Sequence, residues 1–220
     1  MEWKRITLLV GHYGSGKTNV AVNLALKLAK ERPPVALADL DIVNPYFRSC
    51  DSAADLTAAG VNLISSPYAG SNVDLPALPQ EMYAVTDDRR LTAILDVGGD
   101  DRGALALGRL TPKILSENDY ECLFVLNCYR PLTRTPDEAL EVLVEITAAG
   151  GIAPTGLVNN SNLGVETTPD DVLASLGFAE EVSRRSGLPL KMTTVERGVY
   201  PHLVGKIPDL FPLDLQKKIG

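Results

Sequence analysis

The residues best suited to chemistry stand in one eight-residue stretch, GHYGSGKT, running from Gly11 to Thr18. It satisfies the pattern G-x-x-x-x-G-K-[ST]. Gly11, Gly14 and Gly16, with Ser15 between the last two, let a loop turn its backbone N–H groups inward without clashing side chains. Such a nest, set at the positive end of a helix, holds phosphate. Lys17 would then reach the β and γ phosphates of a nucleotide, and the Thr18 hydroxyl would coordinate Mg²⁺. The pattern is informative only between a strand and a helix, and both are legible. ITLLV precedes it, and apolar residues recur after it at Val20, Leu24 and Leu28.

Nucleotide hydrolysis or transfer also needs a second shell for the metal and a group that orients the attacking oxygen. ALADLDIVNPYF supplies Asp39 and Asp41 at the end of a second strand, and AILDVGGDDRG supplies Asp96 at the end of another. Asp96 could bind a Mg²⁺-ligated water. Gly98 and Gly99 follow it immediately and could swing an N–H toward a γ-phosphate. The plainer reading of these acids is a solvated loop carboxylate, but a strand end in an α/β sheet is where ligands bind.

The elements that must position these groups alternate along the chain. ITLLV, PVALADLD, VNLISS, LTAILDVGG, CLFVLN, PTGLVNN and LPLKMTTV read as strands, each nearly continuously apolar, as parallel strands covered on both faces are. Helices between them carry end signals. Thr135, Pro136 and Glu138 spell an N-cap, a first helical residue and a capping box, and Thr168 opens a second helix the same way. The expected fold is α/β: a doubly wound, mainly parallel sheet of about seven strands with helices on both faces, in a single domain over residues 1–220. The segment at residues 65–80 is long and proline-bearing, and reads either as a functional loop or as a plain surface connection.

Composition narrows the partners. The formal charge is −7, from 21 basic and 28 acidic residues, which argues against a nucleic-acid or anionic-membrane surface. No apolar run reaches the roughly 18 residues of a membrane span, and MEWKRITLLV is too short in its apolar part for a secretory signal. The expected location is cytoplasmic. Cys50, Cys122 and Cys128 form no CxxC pair, and with His12 and His202 as the two histidines a metal cluster is not expected.

These residues resemble the MinD/ParA-like group of P-loop ATPases, and the resemblance covers most of the chain. GHYGSGKTNVAVNLALKLA looks like that family's phosphate loop and helix, ALADLDIVNP like its switch I, and ILDVGGD like its switch II. The resemblance implies ATP and Mg²⁺ as ligands, Lys17 on the β and γ phosphates, Asp41 orienting the hydrolytic water, and Thr18 with Asp96 serving the metal. TGLVNNSN looks like the strand whose terminal asparagine reads adenine, which points to Asn160. TTVERGVY looks like the segment that closes over base and ribose, with Val195 and Glu196 nearest.

One departure stands out. The family's loop usually begins K-G-G, and its first lysine crosses a dimer interface to the partner's nucleotide; here His12 and Tyr13 stand instead. A histidine is shorter and, with an ordinary pKa near 6.5, mostly neutral at pH 7. It is no like-for-like replacement, though Arg48 or Arg102 could supply charge from a switch. His12 also reads as a loop residue packed by Tyr13. Homodimerisation around nucleotide follows from the resemblance and is weakened by this change.

The base can be weighed directly. NNSN lacks the acid that accepts from a guanine edge, whereas an asparagine can both donate to and accept from adenine, which favours ATP. NNSN reads equally well as a turn. Three functions fit: a slow Mg-ATPase that switches a partner protein, a small-molecule kinase or ligase of the dethiobiotin-synthetase type with its own acceptor, and a nucleotide sensor that does not hydrolyse.

Overall fold

The computed structural model describes residues 2–40, 52–65, 79–99 and 101–216, with residues 101 and 102 described for their backbone alone. Their centre is an eight-stranded sheet: β1 Ile6–Val10, β2 Val35–Asp39, β3 Val61–Ser65, β4 Thr92–Asp96, β5 Tyr120–Leu126, β6 Gly156–Asn159, β7 Leu190–Glu196 and β8 Leu210–Leu213. The order is β3-β2-β4-β1-β5-β6-β7-β8, and every pairing is parallel. The seven expected strands are all present and the eighth corrects the count. Its sequence, LFPL, carries Pro212, which argues against a strand wherever both edges must hydrogen-bond. β8 lies at the edge and pairs with β7 alone, so the missing N–H costs the ladder nothing on the open side. Phe211 and Leu213 alternate inward to the core.

Seven α-helices occur among the described residues: α1 Lys17–Glu31, α2 Ala53–Ala58, α3 Ala84–Asp87, α4 Asp101–Glu117, α5 Pro136–Gly150, α6 Pro169–Ser186 and α7 Tyr200–Leu203. Strand alternation divides the core in two. Leu9, Leu37 and Ile94 face Val20, Leu24 and Leu28 of α1, with Leu56 of α2. Leu8, Ala38 and Leu95 face the other way, onto Leu107, Leu110 and Ile114 of α4, Ala139 and Val142 of α5, and Ala179 and Val182 of α6. Helices therefore cover both faces, as a sheet of uninterrupted apolar strands requires.

Local signals set the helix ends. Thr135 accepts from the Glu138 amide while Glu138 reaches back to the Thr135 N–H, and Thr168 with Asp171 repeats the box on α6. The hydrogen bonds from Thr168 hold the Asp171 carboxyl below its ordinary pKa. Gly151 and Gly187 end the two helices with left-handed backbone. Cys122 sits wholly inside the sheet, where burial pushes its thiol up to about 12. No described helix is long and apolar enough to cross a membrane.

Two substitutions check this layering. Phe124, fully buried in β5, should cost about 3–5 kcal/mol on replacement by alanine. Thr135→Ala should cost about 1 kcal/mol through loss of the cap. Urea unfolding of the ligand-free protein reads both.

Candidate phosphate site

Parallel pairing puts every strand's carboxyl end on one edge. There Leu9 is level with Asp96, Asp39 with Asp96, Val10 with Phe124 and Leu126 with Asn159. β1 leaves toward β2 on one side, whereas β4 and β5, which flank it, lead on to strands on the other. The GHYGSGKT loop emerges at this switch point, where ligands of open α/β sheets bind.

The loop's backbone is held in forms that glycine permits. Gly14 and Gly16 have φ of 77° and 89°. At Gly16 a Cβ would overlap the side-chain amide of Asn160, so the position is closed to other residues by space as well as by conformation. Gly16 is also the N-cap of α1, with no side-chain cap and no acid in the first turn, unlike the boxed starts of α5 and α6. The Ser15 hydroxyl is 1% exposed with no hydrogen-bond partner. Lys17, 5% exposed, folds back over the loop and donates to the carbonyls of Gly11 at 3.0 Å and His12 at 3.2 Å. Thr18 is buried one residue further along α1. The loop thus gathers a charged donor, an unpartnered hydroxyl and an uncapped helix start.

On the β4 side, Asp96 is 1% exposed and shares a sheet face with Asp39, its register partner. Both lie on the α1 side, because they follow the parity of Ile94 and Leu37. Gly99 packs directly on the loop: a Cβ there would come within 2.8 Å of the Tyr13 nitrogen and 2.9 Å of the Gly11 carbonyl oxygen. Gly98 is pressed from behind by Gly103 of α4. Beside the glycine pair is a cavity of about 110 Å³ walled by Val10, Val97, Leu107, Ile146 and Ile152. Asp41 lies outside the described residues, as do Arg48, Cys50 and most of the segment at 65–80; the Arg102 side chain is likewise undescribed.

On the β6 and β7 side, Asn160, Val195 and Glu196 are each held by contacts within the chain. Asn160, 1% exposed, donates from Nδ2 to the Ser15 carbonyl at 2.6 Å. Its Oδ1 accepts from the Thr194 hydroxyl at 2.6 Å and from Asn162 at 3.2 Å. Both ends of the amide are engaged, and the side chain braces the phosphate loop from behind. Val195 is buried with Val172, Leu203 and Ile207. The Glu196 carboxylate accepts from the backbone N–H groups of Gly198 at 2.7 Å and Val199 at 3.3 Å, shaping the turn after β7. His12 places Nδ1 2.9 Å from the Tyr13 carbonyl oxygen, and Tyr13 is exposed.

The groups that complete this brace are remote in the chain from the loop they support. Thr194 and Asn162 hold Asn160, Asn159 donates to Ser175, and Asn127 accepts from the Tyr129 N–H while donating to the Asn162 carbonyl. Polar residues crowded at the carboxyl ends of apolar strands were the available signal, in LNC, VNNSN and MTTVE.

No protein-family model matches the sequence, and no curated protein matches it either. Solved structures do share its fold. The cell division protein FtsY of Thermotoga maritima is 21% identical with a TM-score of 0.58, over 86% of this chain and 61% of that one. Chloroplast FtsY of Physcomitrella patens is 20% identical with a TM-score of 0.57, over 90% and 61%. The signal recognition particle receptor FtsY of Elizabethkingia anophelis in complex with GDP is 21% identical with a TM-score of 0.53, over 89% and 58%. The chain spans about three fifths of the length of these structures. At such identities the likeness establishes the fold, the α/β fold of P-loop NTPases.

Asn160→Ala should destabilise the ligand-free protein by about 1–3 kcal/mol, because it takes the donor from the Ser15 carbonyl and leaves the Thr194 hydroxyl only its longer bond, 3.4 Å, to the Asn159 carbonyl. A side chain that only read a base would leave the ligand-free melting curve where it was.

Proposed function

We propose that this chain is a nucleotide-driven switch that binds ATP with Mg²⁺ and hydrolyses it slowly. One observation carries the reading: an uncapped helix start whose loop holds glycines in left-handed form, a buried unpartnered hydroxyl at Ser15 and a buried ammonium at Lys17. Phosphate oxygens would satisfy all three, taking the Lys17 donors now given to the Gly11 and His12 carbonyls. Gly11, Gly14, Ser15, Gly16, Lys17 and Thr18 form the cradle.

A hydroxyl and carboxylates are a donor set suited to a hard cation. Thr18 would hold Mg²⁺ directly and Asp96 through water, and the metal would draw charge from the phosphate oxygens. Asp41 would orient the attacking water. Gly99, packed on the loop, and Gly98 before it, both beside a cavity, would answer to the γ-phosphate, and their movement on its loss would be what a partner detects. Kinship with the MinD/ParA-like group belongs to the same proposal and rests on the sequence motifs, since the solved structures compared above are FtsY proteins.

For the base, ATP follows from the lack of an acid in NNSN. Asn160, with its amide engaged on the loop, would have to exchange a partner before touching adenine. GTP is the second reading, favoured by the Elizabethkingia anophelis neighbour, which was solved with GDP.

Calorimetry with Mg-ATP and Mg-GTP decides among these. The wild type should bind Mg-ATP, and Lys17→Ala should weaken that binding at least tenfold, about 1.4 kcal/mol. Tighter binding of Mg-GTP would reverse the base preference, and no heat with either nucleotide would remove the cradle. ADP formation without an acceptor supports the switch; a phosphorylated metabolite in the mass spectrum would make the protein a kinase or ligase.

A further inference from the structure

The cradle described above lacks the second cation that its resemblance family supplies from a dimer partner, because His12 stands in that position. A different residue brings charge to the loop within the same chain. The connection from β5 to α5 crosses the phosphate loop, and Arg130 lies over it: a methyl group added at Gly14 would come within 3.9 Å of both Arg130 Cδ and Nε. The Arg130 side chain is exposed, and among the described residues its guanidinium makes no salt bridge and no hydrogen bond.

The backbone beneath it is well fixed. The Arg130 N–H donates to the Asn127 carbonyl at 3.2 Å, and the buried Thr133 hydroxyl donates to the same carbonyl at 2.8 Å. The Asn127 side chain accepts from the Tyr129 N–H at 3.0 Å, and the Tyr129 hydroxyl donates to the Asp171 carbonyl at 2.7 Å on α6. Leu132, two residues on, has φ of 65°, an uncommon backbone for a branched residue, retained where surrounding contacts determine it. This turn therefore aims a cation whose charged end has no protein partner, at a loop built to receive anions.

We propose that Arg130 is a phosphate-binding residue acting in cis, which closes over the phosphate tail of the bound nucleotide from the side opposite the loop amides. A planar guanidinium pairs two oxygens at once, which suits a terminal phosphate. With Lys17 it gives the site two cations from one chain, so the tail is held without a residue from a second copy. The proposal rests on the phosphate-loop reading.

The experiment titrates Mg-ATP and magnesium tripolyphosphate into wild type, Arg130→Ala, Arg130→Lys and Lys17→Ala, with the ligand-free melting temperature of each as a control. Arg130→Ala should weaken both ligands roughly tenfold, and Arg130→Lys should recover part of that loss. The ligand-free melting temperature of both Arg130 variants should match the wild type. If Arg130→Ala binds both ligands as the wild type does while Lys17→Ala does not, the cradle stands and Arg130 has no part in it. Loss of Mg-ATP with tripolyphosphate unchanged would put Arg130 on the base or ribose and overturn the assignment. Failure of the wild type to bind either ligand would bring down the cradle and Arg130 together.

Discussion

Parallel pairing is the constraint on which the site depends. When all eight strands run the same way, each must be followed by a crossover, and every crossover starts from the same edge of the sheet. Residues remote in sequence are thereby brought level: Leu9 and Asp39 both meet Asp96, and Leu126 meets Asn159. The two apolar clusters on either side keep this register, since a one-residue slip would turn Leu8 and Leu9 to the wrong faces. The fold's stability and the assembly of its ligand edge have one origin.

On that edge the phosphate loop is backed by buried amides and hydroxyls. Asn160 bonds the Ser15 carbonyl, Thr194 and Asn162 bond Asn160, and Asn127 and Thr133 fix the turn that overhangs the loop. Buried polar groups are costly unless each finds a partner, and a fully paired network resists displacement. Lys17 meets a related requirement: its ammonium is buried, and carbonyls of the loop receive its protons. The Ser15 hydroxyl is the member of the loop with no partner. On the proposed function, a loop braced in this way is preorganised for an anion, because beyond the Lys17 hydrogen bonds little would have to move when one arrives.

The two sides of the loop differ in how they are built. Toward β6 and β7, side-chain hydrogen bonds lock neighbouring strand ends together. Toward β4, contact with the loop is made by Gly99, which has no side chain to lock, and a cavity adjoins it and Gly98. The proposed switch would need a fixed grip on its ligand and a part that answers to it, and this division offers both within one edge.

Much of the fold was legible in the amino-acid sequence because it is written in short-range terms. Continuous apolar runs marked seven strands, threonine-proline pairs marked two helix starts, and the glycine spacing marked a loop between the first strand and the first helix. Other features exist only through contacts between distant segments. β8 forms despite Pro212 because it occupies an edge, and α4 forms despite Gly103, Gly108 and Pro112 because Leu107, Leu110 and Ile114 are buried against the sheet. The resemblance points Asn160 at a base, and the sequence holds no sign of its bond to a carbonyl 145 residues away, by which it also braces the loop. Arg130 carried no signal at all, since nothing near it in the chain resembles a phosphate loop. The sequence by itself determined seven of the eight strands, two capped helix starts and the glycine loop after the first strand, because backbone preference and side-chain periodicity act over a few residues. Only the tertiary structure decided which polar groups are spent on holding the loop and which are left to face a ligand, because hydrogen bonds and charge depend on proximity in space.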